Sequence, residues 1–442
     1  MVPVLSPGFS SSSTSLVSQP PLSQQMSSSS VHSIAELLVA SSSRLSDSHI
    51  EVVREEGLRH AKIKLDARQY KKPQLKVQLL EILRKLKVPL WSTAPISPED
   101  VDIRKVSGAL TNAVFFVSLP SIPTAKTLLL RVYGSSSGSL ISRPRELHIL
   151  HVLSSKYKIG PRVYGTFDNG RIEEFFDSVT LTSSDIRDPQ VSRWIAARMA
   201  ELHCVDIEAV GGSADPQGYD SLANVSSWLA PAEEVLALPG ISNATRQELN
   251  IKRFKEEWAK FSSWVVTRSR TFGTRRVFAH NDAQYGNLLR LKDGTQGGIE
   301  EHRQIIVVDF EYAGPNPAAF DIANHFFEWC ANYHGSTPQL LEATRYPSWE
   351  ERKNFYLTYI RHSYVLADDP DLDDKALNAM AAELDKDVLT WGAASHAQWA
   401  IWGLVQARED VEAGHTEPEF DYIGYAIGRM ASFRSVMRSF NL

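Results

Sequence analysis

The sequence has few cysteines, no long apolar run and no excess of positive charge. Among its 442 residues only Cys204 and Cys330 are cysteines, too few for a disulfide framework and typical of a reducing compartment. No apolar run approaches the roughly 20 residues that a membrane-spanning helix requires. The formal net charge of -5 disfavours a surface for nucleic acid or for anionic lipid. We therefore expect free thiols, no nucleic-acid partner and no stable membrane insertion.

The N-terminal region lacks the features of a targeting peptide. Pro3 and Pro7 interrupt it, and no Lys or Arg precedes Arg44, so we expect neither a signal peptide nor a mitochondrial presequence. From Ser6 to about Asp47 the composition is dominated by Ser, with Pro and Gln. Such a segment buries too little apolar surface to offset its chain entropy. We predict that residues 1–47 form a disordered tail and that the protein is cytoplasmic.

A polar segment and a later apolar run carry the strongest chemical signal. The first is His280–Asn287, and the second is Ile305–Val308, which Asp309 follows. Kinases place an Asp to accept a hydroxyl proton, an Asn five residues later to bind magnesium, and a second Asp after a strand to bind the metal at the nucleotide phosphates. Asp282, Asn287 and Asp309 fit these roles. The set predicts a phosphoryl-transfer centre that uses ATP and Mg²⁺, with Asn287 and Asp309 as the metal ligands.

Strand patterns dominate the sequence between residues 101 and 176, whereas helical patterns dominate from Pro189 onward. The predicted strands are Val101–Val106, Ala113–Leu119, Thr127–Tyr133, Val163–Phe167 and Ile172–Phe176, with a helix near Pro144–Lys156 and a leading helix within Lys72–Val88. This order predicts an α+β, protein-kinase-like fold with two lobes. Residues 48–175 would form a small β-rich lobe that ends at a hinge near Glu173–Phe175, and residues 176–442 a large helical lobe.

Two features of the small lobe can contact nucleotide phosphates. The segment 107–112 lies between strands, where backbone N–H groups can cover phosphates, although its single glycine fits an ordinary hairpin turn equally well. Arg131 stands in the third strand, where protein kinases place a lysine, and arginine can bind phosphate through two hydrogen bonds. Glu146 on the following helix is the expected ion-pair partner of Arg131. The alternatives are a surface arginine at a strand edge and a solvated glutamate.

A group of aromatic residues in the second half suggests a pocket for a cation. Trp399 and Trp402 are three residues apart in a helical pattern, so they can face the same side. Tyr333, Tyr425 and the acidic Glu328 accompany them. Aromatic faces attract cations, and a quaternary ammonium requires such faces because it has no N–H to donate. The alternative is a helix that packs through its tryptophans.

The segments around the catalytic motif resemble the choline/ethanolamine kinase family. The resemblance runs from about Lys72 to the C-terminus and is carried by His280–Leu289, Val308–Ala313, Asn316, Phe320–Trp329, Leu129–Gly134, Gly160-Pro161, Tyr164-Gly165 and the tryptophan pair. Within it, Phe310, Phe320 and Trp329 are more similar to choline kinases than to ethanolamine kinases.

This resemblance implies a protein-kinase-like fold, ATP with magnesium, and phosphate transfer to the hydroxyl of choline, which begins phosphatidylcholine synthesis by way of CDP-choline. It also implies a homodimer. By matched position Asp282 would be the base, and Asn287 and Asp309 the metal ligands. The residues that it implies at the nucleotide are Gly108, Thr111, Asn112 and Arg131. Those that it implies at the choline site are Gln284, Glu328, Tyr333, Trp399, Trp402 and Tyr425.

Three alternatives stay open at this point. An ethanolamine kinase would catalyse the same reaction with nearly the same centre. An aminoglycoside-type phosphotransferase shares the catalytic spacing, but the Asp321–Trp329 block and the tryptophan pair argue against it. A catalytically silent binding protein is disfavoured because all three residues of the magnesium centre are present.

Overall fold

The computed structural model divides the chain into two compact units, Met1–Ser178 and Val179–Leu442. The described residues are 52–442 without 109–111, 134–141, 214, 216–217, 269–270, 295–299, 370–371, 416–417 and 419. The predicted tail 1–47 and the predicted nucleotide contact Thr111 therefore lie outside the described residues. The first unit is rich in strands and the second in helices, which confirms the predicted α+β fold.

A six-stranded sheet forms the centre of the first unit. Its strands are β1 (His60–Ala61), β2 (Asp102–Gly108), β3 (Asn112–Ser118), β4 (Leu128–Tyr133), β5 (Val163–Phe167) and β6 (Gly170–Glu174). They lie in the order β1-β5-β6-β4-β3-β2, with β1 and β5 parallel and the other pairs antiparallel. Strand β6 begins earlier than the predicted Ile172–Phe176, because Gly170 already pairs with Phe167. Only glycine fits there, since a Cβ atom at Gly170 would lie 2.2 Å from the carbonyl oxygen of Arg131.

Two helices accompany this sheet. Helix α1 (Pro73–Leu86) begins with a proline in its first turn and ends at Lys87, whose left-handed backbone (φ 55°) closes the helix. Helix α2 (Arg143–Val152) continues into a wider π-helical turn, Leu153–Tyr157. The periodic leucines of α1 pack on the apolar face of the sheet, in a core that contains Leu79, Leu83, Phe115, Leu130 and Ile172. The helical spacing that predicted α1 is thus the spacing of its buried face.

The second unit is built around one long helix. Its helices are α3 (Pro189–His203), α4 (Asp220–Ala237), α5 (Asn243–Leu249), α6 (Ile251–Val266), α7 (Ala318–Glu328), α8 (Trp349–Leu366), α9 (Asp374–Gln406), α10 (Arg408–Ala413) and α11 (Tyr422–Ser439). Helix α9 is central, and α4, α7, α8 and α11 pack against it. In the described part of the chain, no helix has the length and the apolar character needed to cross a bilayer.

Short strands from Ser178 onward bracket the segments that carry the predicted chemistry. These strands are β7 (Ser178–Thr180), β8 (Arg276–Ala279), β9 (Leu288–Leu291), β10 (Ile305–Val307) and β11 (Gly314–Pro317). Strand β9 lies between β10 and β7, and β8 pairs with β11. The polar segment 280–287 therefore connects β8 to β9, and Asp309 closely follows the end of β10. Both cysteines are free thiols, as predicted.

Candidate active site

A buried carboxylate holds the start of the polar segment after β8. Asp321, on α7, accepts hydrogen bonds from the main-chain N–H groups of His280 (2.9 Å) and Asn281 (2.8 Å). The backbone of Asn281 is left-handed, with a φ of 65°. The Asn281 side chain donates to the carbonyl of Tyr312 (2.8 Å) and accepts from the amide of Asn316 (2.7 Å). These bonds hold a backbone conformation that few residues other than glycine adopt.

Asp321 was not singled out as a site residue from the sequence, although it supports the whole segment. Its second neighbour is His203, whose Nε2 lies 3.0 Å from its carboxylate. Burial by itself would raise the pKa of Asp321, but the hydrogen bonds from His203 and from the main chain of His280 outweigh burial and hold the pKa below its usual value. The group is thus an ionised acceptor. A lone Asp within the apolar run Phe320–Ala323 is the sequence signal that could have identified it.

His280 connects this segment to the strand that precedes Asp309. Its Nε2 lies 3.0 Å from the carbonyl oxygen of Val308, and its Nδ1 accepts from the main-chain N–H of Asp282 at 3.3 Å. A carbonyl accepts only from a donor, so these contacts correspond to the tautomer with its proton on Nε2. His280 is therefore a structural link between the polar segment after β8 and the strand before Asp309.

The three residues of the predicted phosphoryl-transfer centre lie together. The Asn287 amide nitrogen donates to the main-chain oxygen of Asp282 (2.9 Å) and to its carboxylate (2.9 Å). The main-chain N–H of Val308 donates to the carbonyl of Asn287 (3.0 Å), which brings the adjacent Asp309 to the same edge. The backbone of Asp309 is also left-handed, with a φ of 67°. The short segments that carry these two carboxylates and this side-chain amide are thus neighbours.

The short helical turn between Asp282 and β9 is closed by Gln284. The Gln284 side-chain oxygen accepts from the main-chain N–H of Gly286 at 3.3 Å. The next residue, Tyr285, is almost fully buried and accepts at its hydroxyl from the main-chain N–H of Tyr333 (2.9 Å). The rings of Tyr285 and Tyr333 are 5.6 Å apart. The polar segment after β8 is thereby joined to Tyr333, one of the residues predicted at the substrate cation.

The predicted tryptophan pair forms one aromatic cluster with Tyr425. The centroids of Trp399 and Trp402 are 5.2 Å apart, and those of Trp402 and Tyr425 are 6.0 Å apart, both edge to face. The indole N–H of Trp402 donates to the hydroxyl of Tyr312 (2.9 Å), and that of Trp399 to Asn324 (2.6 Å). These bonds fix both indole rings, so the cluster is a rigid aromatic surface.

Glu328 and Tyr333, also predicted at the substrate, meet a buried arginine that sequence reasoning missed. The Tyr333 hydroxyl donates to one carboxylate oxygen of Glu328 (2.7 Å), and Arg429 donates to the other (3.4 Å). The guanidinium of Arg429 also lies over the rings of Tyr425 (5.2 Å) and Phe327 (5.9 Å). The sequence signal is the spacing of Tyr425 and Arg429, four residues apart on one face of α11.

These neighbours determine the charge state around Glu328. Burial opposes the charge of Arg429, but Tyr425 and Glu328 offset burial and hold the pKa of the guanidinium above its usual value. Burial and the charge of Glu328 raise the pKa of Tyr333 well above that of an ordinary phenol, so its hydroxyl stays protonated and donates. The negative charge of Glu328 is therefore balanced within the protein.

In the first unit, Arg131 and Glu146 belong to one network of charged side chains, and their direct pairing stays a prediction. Glu146 is ion-paired with Arg171 (2.7 Å), whereas Arg131 lies 3.4 Å from Glu173. Arg171 also pairs with Glu173 and donates to the hydroxyl of Tyr133 (3.1 Å). Strand register explains this network, because Arg131 on β4 is directly opposite Arg171 on β6. The carboxylates of Glu173 and Glu146 alternate with these two cations.

This network holds its members in their charged forms. Burial would raise the pKa values of Glu146 and Glu173, but the adjacent Arg171 offsets burial and lowers both. Burial would lower the pKa of Arg171, and the two carboxylates raise it well above its usual value instead. Arg131 therefore lies at the edge of a buried and charge-balanced array.

The nucleotide-loop residues predicted from the resemblance are described in part. Strand β2 ends at Gly108, which pairs with Ala113, and β3 begins at Asn112, which pairs with Tyr133. The two strands thus form a hairpin whose connection contains Thr111. The contacts of that connection with a nucleotide stay a prediction.

Comparison with known proteins identifies the family. The family model for choline/ethanolamine kinase matches residues 103–434. A choline kinase of Schizosaccharomyces pombe is 34% identical over 401 residues, which cover 80% of this chain and 87% of that protein. Among solved structures, a choline kinase from Cryptosporidium parvum has a TM-score of 0.65 at 23% identity, covering 82% of this chain and 95% of that chain. The ethanolamine kinase of Plasmodium vivax has a TM-score of 0.61 at 22% identity, covering 83% of this chain and 90% of that chain.

The two structural similarities show a shared fold and do not separate choline from ethanolamine as the substrate. The family model and the Schizosaccharomyces pombe relative both extend over most of the chain and include the catalytic segments. They confirm the family that the sequence motifs suggested: the chain is a member of the choline/ethanolamine kinase family.

Proposed function

We propose that the protein transfers the terminal phosphate of ATP to the hydroxyl of choline and so produces phosphocholine, the first step of the CDP-choline route to phosphatidylcholine. The observation that supports this most is the cluster of Asp282, Asn287 and Asp309, held by the hydrogen bonds from Asn287 to Asp282 and from Val308 to Asn287. The reaction proposed for this cluster, phosphate transfer from ATP, follows from membership of the family.

Asp282 acts as the general base in this proposal. Asp282 is 5% exposed, and Asn287 fixes one of its carboxylate oxygens. A carboxylate held in this way can orient the hydroxyl of the acceptor and take its proton as the phosphate is transferred. Because phosphoryl transfer requires little covalent work from the protein, positioning of this kind supplies much of the catalysis.

Asn287 and Asp309 fit the ligand chemistry of Mg²⁺, which prefers oxygen donors. The Asn287 amide nitrogen donates to Asp282, so the oxygen of the same amide is directed away from that carboxylate. Asp309 supplies a carboxylate at the end of a strand that is fixed to Asn287 by a main-chain hydrogen bond. When bound, the metal ion neutralises phosphate charge as the terminal phosphate is transferred.

Arg131, Gly108, Thr111 and Asn112 are proposed to contact the nucleotide. Arg131 carries a permanent positive charge, and the network through Glu173 and Arg171 restricts its position. Glu146 then acts indirectly in this proposal, through Arg171.

The proposal of choline rather than ethanolamine rests on the environment of Glu328. Both carboxylate oxygens of Glu328 already have donors, Tyr333 and Arg429. An ethanolammonium ion needs acceptors for its three N–H groups, whereas a trimethylammonium group needs none and is attracted by aromatic faces. Trp399, Trp402, Tyr333 and Tyr425 supply such faces, and we assign Gln284 to the same pocket. A homodimer and a cytoplasmic location stay predictions.

Phosphate transfer to choline by the purified full chain tests this proposal. We expect labelled phosphate from ATP to appear in phosphocholine in the presence of Mg²⁺. Asp309→Ala should abolish transfer, because the nucleotide loses the carboxylate that positions the metal. Asp293→Ala is the matched control, since Asp293 is an exposed aspartate outside the cluster. Full activity of the Asp309 variant, or no transfer by the unaltered chain, would contradict the proposal.

A further inference from the structure

Outside the candidate active site, three side chains that can ligate a metal converge within the second unit. Glu201 lies on α3, His302 lies in the short turn before β10, and His362 lies on α8. One ligand atom from each lies within 4.8 Å of the other two. The Glu201 carboxylate is 2.9 Å from Nε2 of His302 and 3.8 Å from Nε2 of His362. The two imidazole rings are 4.7 Å apart.

One of these ligand atoms, Nε2 of His362, is buried without a hydrogen bond in the described part of the chain. Such a state is uncommon for a buried imidazole nitrogen. Its distance of 3.8 Å from Glu201 exceeds a hydrogen bond. Two ligands of one tetrahedral zinc ion, each about 2.0–2.1 Å from the metal, lie about 3.4 Å apart. The cluster is therefore close to the spacing that a shared ion requires.

The charges around Glu201 leave one of its oxygens directed at the histidines. Arg198 pairs with the Oε2 atom of Glu201, while His302 contacts Oε1. The carboxylate is thus ion-paired with Arg198 and presents its Oε1 atom to both histidines. Arg198 would stay paired with Oε2 and so orient the Glu201 carboxylate toward the metal.

Arg303 and Glu300 complete the surroundings. Arg303 lies 3.2 Å from Oε1 of Glu201 and 3.2 Å from Glu300, so it competes with a metal ion for the same oxygen. Its side chain is 27% exposed and can move toward solvent. Glu300 lies 3.7 Å from Nε2 of His302 and is 61% exposed, which makes its carboxylate available as a fourth ligand.

We propose that Glu201, His302 and His362 form a binding site for a transition-metal ion of the zinc class, with Glu300 as the fourth ligand. Two imidazoles and carboxylates suit Zn²⁺ and Co²⁺, whereas Mg²⁺ prefers oxygen ligands alone. The site is therefore distinct in its metal preference from the proposed magnesium centre. An ion bound here would join α3, α8 and the turn before β10, and so stabilise the second unit.

Cobalt binding to the purified, chelator-treated full chain tests this site. We expect saturable binding of one Co²⁺ per chain, with the intense visible absorption of a four-coordinate ion. Zn²⁺ should displace it, and an excess of Mg²⁺ should not. Zn²⁺ should also raise the Tm. Absence of saturable binding, or displacement by Mg²⁺, would overturn the proposal.

Substitutions at His362, Arg303 and the control residue His415 test where the ion binds. His362→Ala should weaken Co²⁺ binding by at least about 100-fold. Loss of a residue that only orients a ligand already weakens metal binding by about 10–100-fold. His415→Ala is the matched control, because His415 is an exposed histidine paired with Asp410 and should leave binding unchanged. Arg303→Ala should tighten binding by removing the competing cation. His362→Gln replaces His362→Ala if the alanine variant does not fold. Unchanged binding in the His362 variants, or weaker binding in Arg303→Ala, would overturn the assignment.

Discussion

Replacing Trp402 by phenylalanine tests whether the aromatic cluster binds the substrate cation. Trp402 is 5% exposed, and its ring lies edge to face with Trp399 and Tyr425 at 5.2 and 6.0 Å. Indole attracts cations more strongly than benzene does, so phenylalanine keeps a ring but weakens the attraction for trimethylammonium. It also removes the N–H that donates to Tyr312 at 2.9 Å.

The structure favours phenylalanine over alanine for this test. Trp402→Ala would remove about 3–5 kcal/mol of packing from a total stability of about 5–15 kcal/mol, so the variant could lose activity by unfolding. Trp402→Phe should lose about 0.5–1 kcal/mol of cation attraction, which raises the KM for choline about two- to fivefold. The lost hydrogen bond should lower the free energy of unfolding by about 0.5–1.5 kcal/mol.

Steady-state kinetics with choline, ethanolamine and ATP provide the assay. We expect the KM for choline to rise, the KM for ethanolamine to rise less because ammonium N–H groups find other acceptors, and the KM for ATP to stay constant. Trp391→Phe is the matched control, since Trp391 lies on the same helix, is 2% exposed and packs edge to face on Tyr219 at 5.4 Å. Equal changes for both alcohols, or the same choline effect in the control, would show that Trp402 is a packing residue.

Three further predictions concern the base, the arginine network and the tail. Asp282→Ala should lower kcat by at least about 100-fold and leave ATP affinity intact, as single-turnover kinetics and nucleotide titration would show, whereas near-normal turnover would refute the base assignment. Arg171→Met should lower the free energy of unfolding by about 3–5 kcal/mol at neutral pH, because it removes the buried cation that Glu146 and Glu173 share. In the unaltered chain the pKa values of Glu146 and Glu173 lie below the usual value of about 4.5. The network should therefore stabilise the fold fully above about that pH, and its contribution should fade as the pH falls further. Urea denaturation that showed equal acid sensitivity in the unaltered chain and in Arg171→Met would contradict this account. Deleting residues 1–47 should change neither Tm nor kcat, because the segment has no apolar face to add to a core, and a large fall in either quantity would refute its predicted disorder.

The spacing of apolar residues predicted the secondary structure well where those residues are buried. Strand β5 has the predicted bounds, Val163–Phe167, and the leucines that predicted α1 form its core face. The start of β6 was displaced because Gly170 is required by its close approach to the Arg131 carbonyl, a contact between two strands. The residues next to a glycine in the sequence do not show which atoms of another strand a side chain at that position would contact.

The partners of the site residues were harder to predict than the residues themselves. Asp282, Asn287 and Asp309 were selected because their spacing along the chain matches the kinase pattern. Arg429 and Asp321 were not singled out, since each acts through residues that are distant in sequence: Arg429 is 101 residues from Glu328, and Asp321 is 41 residues from His280. The same limitation applies to the ion pair between Glu146 and Arg171, because the position of Arg171 beside Arg131 depends on strand register. Such contacts are fixed by tertiary packing, which periodicity does not encode.

Competition between choline and ethanolamine for labelled phosphate from ATP tests the central claim most directly. Both alcohols would be supplied together at equal concentration to the purified full chain with Mg²⁺, and the two products separated and counted. The balanced charge of Glu328 and the aromatic surface of Trp399, Trp402 and Tyr425 predict that phosphocholine predominates. Predominance of phosphoethanolamine, or an equal yield of the two products, would contradict the proposed substrate preference.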